Sequence, residues 1–252
     1  MGSLTGVLAC AALLVALPAC TATGGEGPQQ DGAPAAANRL NQLAPEERAA
    51  GWTLLFDGND LSAWRGFREE NVPAGWSIAR NAIHFNPEVE GGGGDLITKK
   101  EYGDFVLELD WRIAKGGNSG IVYRVSEDRN ATWKTGPEYQ VLDNARHPNA
   151  NDGPEYTAGA VYALYAPSED ATRPAGQWNQ ARIVVRDRRV KHWLNGTNVA
   201  SYEWGGAAWK KRVANSKFDT IPGFAKNERG HIALQDHGDN VWYRNIKIRP
   251  LD

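Results

Sequence analysis

From Gly51 onward apolar and polar residues alternate with a period of two. Phe105, Leu107, Leu109, Trp111 and Ile113 interleave with Val106, Glu108, Asp110 and Arg112, the pattern of a strand with one buried face. Residues 182–185 and 190–194 flank Asp187-Arg188-Arg189, and Asn195-Gly196 opens a second reversal. Asn-Gly between alternating segments signals a hairpin, because both residues tolerate the positive φ of a tight turn. Residues 182–202 therefore read as a three-stranded meander. Further strands are expected at 53–56, 76–79, 82–85, 120–125, 138–142, 160–165, 230–236 and 241–248. Helical periodicity is confined to a short turn capped near Pro45 and to 207–213. Many short strands with Gly and Pro turns predict an all-β fold, an antiparallel β-sandwich or jelly roll.

The opening residues break this pattern. Residues 4–16 form an apolar run too short to span a bilayer. Leu17-Pro18-Ala19-Cys20 follows, the arrangement of a bacterial lipoprotein signal, although Met1-Gly2-Ser3-Leu4 lacks the charged n-region. The reading is a signal peptide over 1–19 and lipidation at Cys20. The protein would then be exported and held to the cell envelope by the lipid alone. An ordinary secretory signal with a chance Cys is the alternative. Residues 20–50, rich in Gly, Ala, Pro and Gln at their start, read as a flexible tether with one helical turn. The domain then occupies 51–252, a length one all-β domain can use. Cys10 and Cys20 are the only cysteines, so no disulfide is expected in the domain. The formal charge of −2 comes with interspersed acidic and basic residues and no evident basic face. That argues against nucleic acid as a partner.

Candidate chemistry sits where polar residues interrupt these strands. Alternation puts Glu138 and Gln140 on one face of their strand, with Asp143 at its end. It puts Gln235 and His237 on one face, opposite Ile232 and Leu234. His237 taken alone reads more readily as a solvated loop histidine, since Gly238-Asp239 follow at once. Arg124 alternates with Val122, and Arg244 with Trp242, Ile246 and Ile248. An Arg on an apolar face must be paired, for Arg244 to Asp143 or Asp236, and both could be structural ion pairs. Asn118-Ser119-Gly120 could be mere turn chemistry. Ten Trp and eight Tyr could fill a core or stack on sugar rings. No nucleophile elbow, phosphate loop, zinc spacing or nicotinamide-binding fingerprint is present. Oxygen ligation of a divalent metal by the polar loops stays open.

Taken together, Phe56-Asp-Gly58, Asn118-Ser-Gly-Ile121 with Arg124, Glu138-Tyr-Gln-Val-Leu-Asp-Asn144, Gly159-Ala-Val-Tyr162, Gly176-Gln-Trp178-Asn179, His192-Trp-Leu-Asn-Gly196 and Leu234-Gln235-Asp-His237-Gly238 with Arg244-Asn-Ile246 resemble the 3-keto-disaccharide hydrolase domain family. The likeness runs from about Gly51 to Leu251. It implies a concanavalin-A-like lectin/glucanase jelly roll acting on glycosides that a separate sugar 3-dehydrogenase has oxidised at C3. A C3 ketone acidifies the C2–H; a base removes that proton, the C1 substituent leaves, and water adds to the enone. Such chemistry needs a base, a donor at the enolate oxygen and an acid at the leaving oxygen. Glu138 and His237, with Asp143, are the candidate proton-transfer residues. Asn118, Arg124, Gln140, Tyr162, Trp178, Gln235 and Arg244 are the candidate sugar contacts. A divalent metal could replace the cationic donor. The alternatives are a non-catalytic carbohydrate-binding lipoprotein and an ordinary two-carboxylate glycosidase, which needs a second carboxylate in the cleft.

Overall fold

The computed structural model describes residues 1–2 and 40–251. The expected signal segment, Cys20 and the tether up to residue 39 lie outside the described residues. Among those described, the strands are β1 (Thr53–Leu54), β2 (Trp64–Gly66), β3 (Trp76–Ala79), β4 (Ala82–Phe85), β5 (Leu96–Thr98), β6 (Phe105–Ile113) and β7 (Asn118–Val125). They continue with β8 (Glu138–Leu142), β9 (Asn179–Arg186), β10 (Arg189–Leu194), β11 (Thr197–Glu203), β12 (His231–Leu234) and β13 (Val241–Pro250). Two α-helices, α1 (Pro45–Ala49) and α2 (Ala207–Ala214), sit where the sequence placed helical turns.

Two antiparallel sheets form a sandwich. The larger runs β11-β10-β9-β6-β13-β4-β3, with β1 added on β13, and the smaller runs β2-β5-β12-β7-β8. The meander β9-β10-β11 turns at Asp187-Arg188 and Asn195-Gly196, and all four residues have positive φ. Asn195 earns its place twice, because its side-chain amide also donates to Ala171 O and Asn179 Oδ1, each at 2.8 Å. Residues 160–165, expected as a strand, instead close on themselves. Val161 and Tyr165 exchange backbone hydrogen bonds at 3.0 and 2.9 Å, and Ala163 takes φ 57°.

Between the sheets lie Leu107, Leu109, Trp111, Ile121, Tyr139, Val141, Ile183, Ile232 and Leu234, all buried. Tyr165, Tyr202, Trp209, Phe224 and Phe218 form a run of near-parallel rings, with successive centroids 5.0, 5.1, 6.2 and 4.0 Å apart. These aromatics fill the core. Beside them His192 is fully buried, and burial pushes it down to about 4, so the ring is neutral near pH 7. Its Nδ1–H donates to Gly159 O at 3.1 Å, which leaves Nε2 to accept from the Tyr123 hydroxyl at 2.9 Å.

Residues 40–50 belong to this unit and not to the tether. Asn41 is buried; its N–H donates to Asn245 Oδ1, and the Asn245 N–H donates to Asn41 Oδ1, both at 2.8 Å. Glu47 of α1 pairs with Lys247 of β13.

Two β-bulges reset the phase of their strands. On β7 the pairing with β12 slips, and Arg124 takes φ 59°. Val125 thereby joins Val122, Ile97, Ala233 and Phe67 in a small apolar cluster separate from the main core. On β13 the pairing with β6 slips between Arg244 and Lys247, with Asn245 at φ 53°. Ile246 and Ile248 are buried, while Trp242 and Arg244 face outward.

Candidate active site

The outer face of the smaller sheet carries a cavity of about 550 Å³. Strand β8 supplies Glu138 and Gln140, β7 supplies Asn118, and the end of β12 supplies Gln235 and then Asp236 and His237. Loops add Asp95, Trp133, Tyr162 and Lys217. The even alternation of β8 is the reason Glu138 and Gln140 face the cavity: Tyr139 and Val141 between them point into the core.

Glu138 lies at the bottom, 7 % exposed. Gly120, across the strand pair, leaves it room: a Cβ there would stand 2.6 Å from Glu138 Oε1. The carboxylate accepts no hydrogen bond among the described residues, so no donor offsets its desolvation. Burial pushes it up to about 8; Asp95 adds to the rise, and Lys217 opposes it. Two further acceptors are unsatisfied. Asn118 Oδ1 and Gln235 Oε1 are both buried without a partner among the described residues. Buried unpaired acceptors are costly in a free protein, and a ligand with hydroxyl donors would satisfy them. Gln140 differs: its Nε2 donates to Tyr156 O at 3.3 Å, and its Oε1 accepts from Val141 N at 3.2 Å.

Lys217, on the loop after α2, places its ammonium 4.3 Å from the Tyr162 ring centre, 4.9 Å from Trp133 and 5.4 Å from Phe218. The residue as a whole is exposed, yet partial desolvation of its ammonium among the rings lowers its pKa, and the Glu138 carboxylate raises it. Asp95 is pushed up by burial, against the Thr132 hydroxyl and the Asp236 N–H that bind its two oxygens. Asp236 in turn accepts from Gly94 N and Gly238 N, each at 2.8 Å. These two carboxylates brace the rim. His237 is exposed at the mouth.

Of the residues singled out in the sequence, Glu138, His237, Asn118, Gln140, Tyr162 and Gln235 converge here. Four do not. Asp143 does not turn back into the cleft; it accepts from Gly116 N at 2.8 Å and Ala145 N at 3.2 Å and so ties two loops together. Arg124 is turned away by its bulge, to Asp104 at 3.1 Å and the Trp204 ring at 4.3 Å. Arg244 pairs with neither Asp143 nor Asp236 but with Asp110, at 3.2 Å, on the outer face of the larger sheet. There it stacks on Trp178 at 4.0 Å, so both residues lie outside the cavity. Asp95, Trp133, Asp236 and Lys217 are members the sequence reading missed. Asp95 follows the Gly91–Gly94 run directly, a carboxylate delivered by a flexible turn to the start of a buried strand. Lys217 lies in the loop after α2 and Trp133 in a single 3-10 turn, Thr132–Lys134, and neither carries such a signal.

Among the described residues no group of three or more His, Cys, Asp or Glu side chains gathers as a metal set. On the larger sheet Arg182, Arg186, Arg189, Lys191 and Arg249 line a depression of about 770 Å³, beside Asp187. Charges interspersed along the chain are thus gathered by strand pairing into the basic face that the sequence did not suggest.

The sequence profile of the 3-keto-alpha-glucoside-1,2-lyase-like domain matches residues 51–249. A 3-keto-disaccharide hydrolase of Bacteroides thetaiotaomicron is 35% identical over 243 residues, covering 86% of this chain and 84% of that protein. A Parabacteroides distasonis protein provisionally assigned as a glycosyl hydrolase, solved at 1.70 Å, is 35% identical with a TM-score of 0.79, covering 85% of this chain and 100% of that one. A second, solved at 2.00 Å, is 28% identical with a TM-score of 0.63, covering 79% and 99%.

Proposed function

This chain belongs to the 3-keto-alpha-glucoside-1,2-lyase-like family, and we propose that it hydrolyses 3-keto-glycosides by removing the C2 proton, expelling the C1 substituent and adding water. The observation that carries the reading is Glu138, a buried carboxylate with no hydrogen bond from a described residue, held at the floor of a sugar-sized cavity. Its pKa of about 8 is that of a base strong enough for a proton acidified by a ketone, yet ionisable near neutral pH. Glu138 takes the C2 proton. The electron pair moves through C3 to its oxygen and returns to expel the C1–O bond. His237, at the mouth where an aglycone departs, protonates the leaving oxygen. Water then adds at C1 while C2 regains a proton, which completes hydrolysis. Asn118 and Gln235 accept from ring hydroxyls, and Tyr162 flanks the ring.

No nicotinamide-binding fingerprint lies in the sequence, so the C3 ketone is installed by a separate dehydrogenase. We place the protein at the cell envelope, anchored by acylation of Cys20; fatty-acid labelling should be lost in Cys20→Ala.

Purified protein should cleave a 3-keto-glucoside and leave the unoxidised glucoside intact. Equal cleavage of both would assign the two-carboxylate glycosidase, for which Asp95 and Asp236 supply further carboxylates in the cavity. Sugar binding with no cleavage of a 3-keto panel would assign the lectin.

A further inference from the structure

The cavity is chemically two-sided. Its floor presents the Glu138 carboxylate and two buried acceptors without partners, Asn118 Oδ1 and Gln235 Oε1, beside the neutral NH2 groups of the same two amides. Its wall presents a donor without acceptors. Lys217 Nζ is held over the faces of Tyr162, Trp133 and Phe218 at 4.3–5.4 Å, and no described residue accepts its hydrogen bonds. A π face attracts an ammonium without using an N–H in a directed bond to an oxygen. Three rings therefore fix the cation while leaving its donors free for a ligand.

A 3-keto sugar has a matching asymmetry. Its hydroxyls donate and accept, whereas the C3 carbonyl oxygen only accepts. Set against the floor, that oxygen would meet at most a neutral amide N–H beside the Glu138 carboxylate, which repels developing negative charge. Set against the wall, it meets the ammonium of Lys217, a cation with no hydrogen-bond acceptor among the described residues. From this match, and resting on the function proposed above, we propose that Lys217 is a catalytic residue: its ammonium donates to the C3 oxygen of the keto sugar and carries the negative charge that develops there when the C2 proton leaves. The proton goes to Glu138, the C–H pair forms the C2–C3 double bond, and the carbonyl pair moves to the C3 oxygen beside Nζ. The pair then returns to rebuild the ketone, C1–C2 becomes the double bond, and C1–O breaks. No oxidant or other co-reactant is needed. Lys217 thus selects for a ketone at C3 and lowers the barrier at one and the same atom.

The test is exchange of the C2 hydrogen of methyl 3-keto-glucoside in deuterated buffer, followed by NMR. Losing one preorganised donor to a developing oxyanion typically costs about 10²–10³-fold. Lys217→Met, which keeps length and apolar stem, should slow exchange by that factor, with kcat falling more than KM rises. Lys217→Arg should recover part of it, because a guanidinium also donates and keeps the charge. Thermal melts should stay close to wild type. Exchange by the wild type and by Lys217→Met at equal rates would overturn this inference alone. So would a loss that tracks a lowered melting temperature and is not recovered by Arg, since that marks a merely structural lysine. Borohydride trapping of keto sugar on Lys217 would overturn the ammonium role in favour of an imine. Absence of exchange by the wild type would overturn the proposed function, and this role with it.

Discussion

The outer faces of the two sheets carry similar kinds of residue and treat them in opposite ways. On the larger sheet every prominent carboxylate has a cation. Arg182 and Lys247 converge on Glu108 at 2.8 and 3.1 Å, Arg244 meets Asp110 at 3.2 Å, and Arg112 lies between the Trp178 and Trp242 rings. On the smaller sheet Glu138 is bare, two amide oxygens are orphaned, and the ammonium of Lys217 rests on rings. Satisfied polar groups hold a surface together; unsatisfied ones, kept in place by a rigid sheet, are what a ligand can bind. Residue type therefore does not distinguish scaffold from site here. Whether the carboxylates and amide oxygens have partners does.

The largest expected effect breaks this contrast at its centre. Glu138→Gln retains shape and removes the base, and turnover of a 3-keto-glucoside should fall by about 10²–10⁴-fold. Next is the space that Glu138 needs. Gly120→Ala puts a methyl group 2.6 Å from its carboxylate in the present geometry, and a displacement of about 1 Å can cost 10²-fold in rate. Steady-state kinetics and a melt on the purified variant would separate that loss from unfolding.

The pH dependence sharpens the same point. With the base at about 8 in the free protein, kcat/KM should rise with pH and level off above that value. Stability should move the other way. The folded pKa is raised above the usual carboxylate value, so the native state binds the extra proton between roughly pH 4.5 and 8 and loses stability as pH rises through that window. Glu138→Gln should therefore melt higher than wild type at pH 8.5, and the difference should shrink towards pH 5. Parallel melting curves would contradict the buried, unpaired carboxylate.

The smallest effect belongs to the paired face. Arg244→Ala should cost on the order of 1 kcal/mol of stability, from a partly exposed ion pair and a stack on Trp178, with kcat and KM unchanged. A tenfold loss of turnover at full folding would show that the larger sheet serves the site after all.

Alternation made the architecture legible wherever a strand was long and regular. β6, β8 and the β9-β10-β11 meander fall where period two and Asn-Gly put them, and β8 alone delivers Glu138 and Gln140 to the cavity. Alternation failed at the two bulges, where one added residue reverses every later side chain. Arg124 and Arg244 were read onto the wrong faces for that reason. β2 and β5, three residues each, are too short for a period to register. Lys217 and Trp133 reach the cavity through loop paths that depend on tertiary packing, which no local pattern records. Asp143 stands at the strand end, where alternation leaves its direction open, and the chain there turns it to Gly116 and Ala145 and not to the cleft.

One feature of the larger sheet bears on the order in which the molecule can assemble. β13, the last of the described strands in chain order, lies between β6 and β4 and also carries β1, while Asn41 locks to Asn245 across 204 residues. The sheet has no finished centre until β13 is in place. Earlier strands can form the β9-β10-β11 meander locally, but joining them to β3 and β4 waits for the C-terminal segment. Such long-range closure makes folding slow relative to chain length. Deleting residues 241–250 would remove a central strand and not a tail.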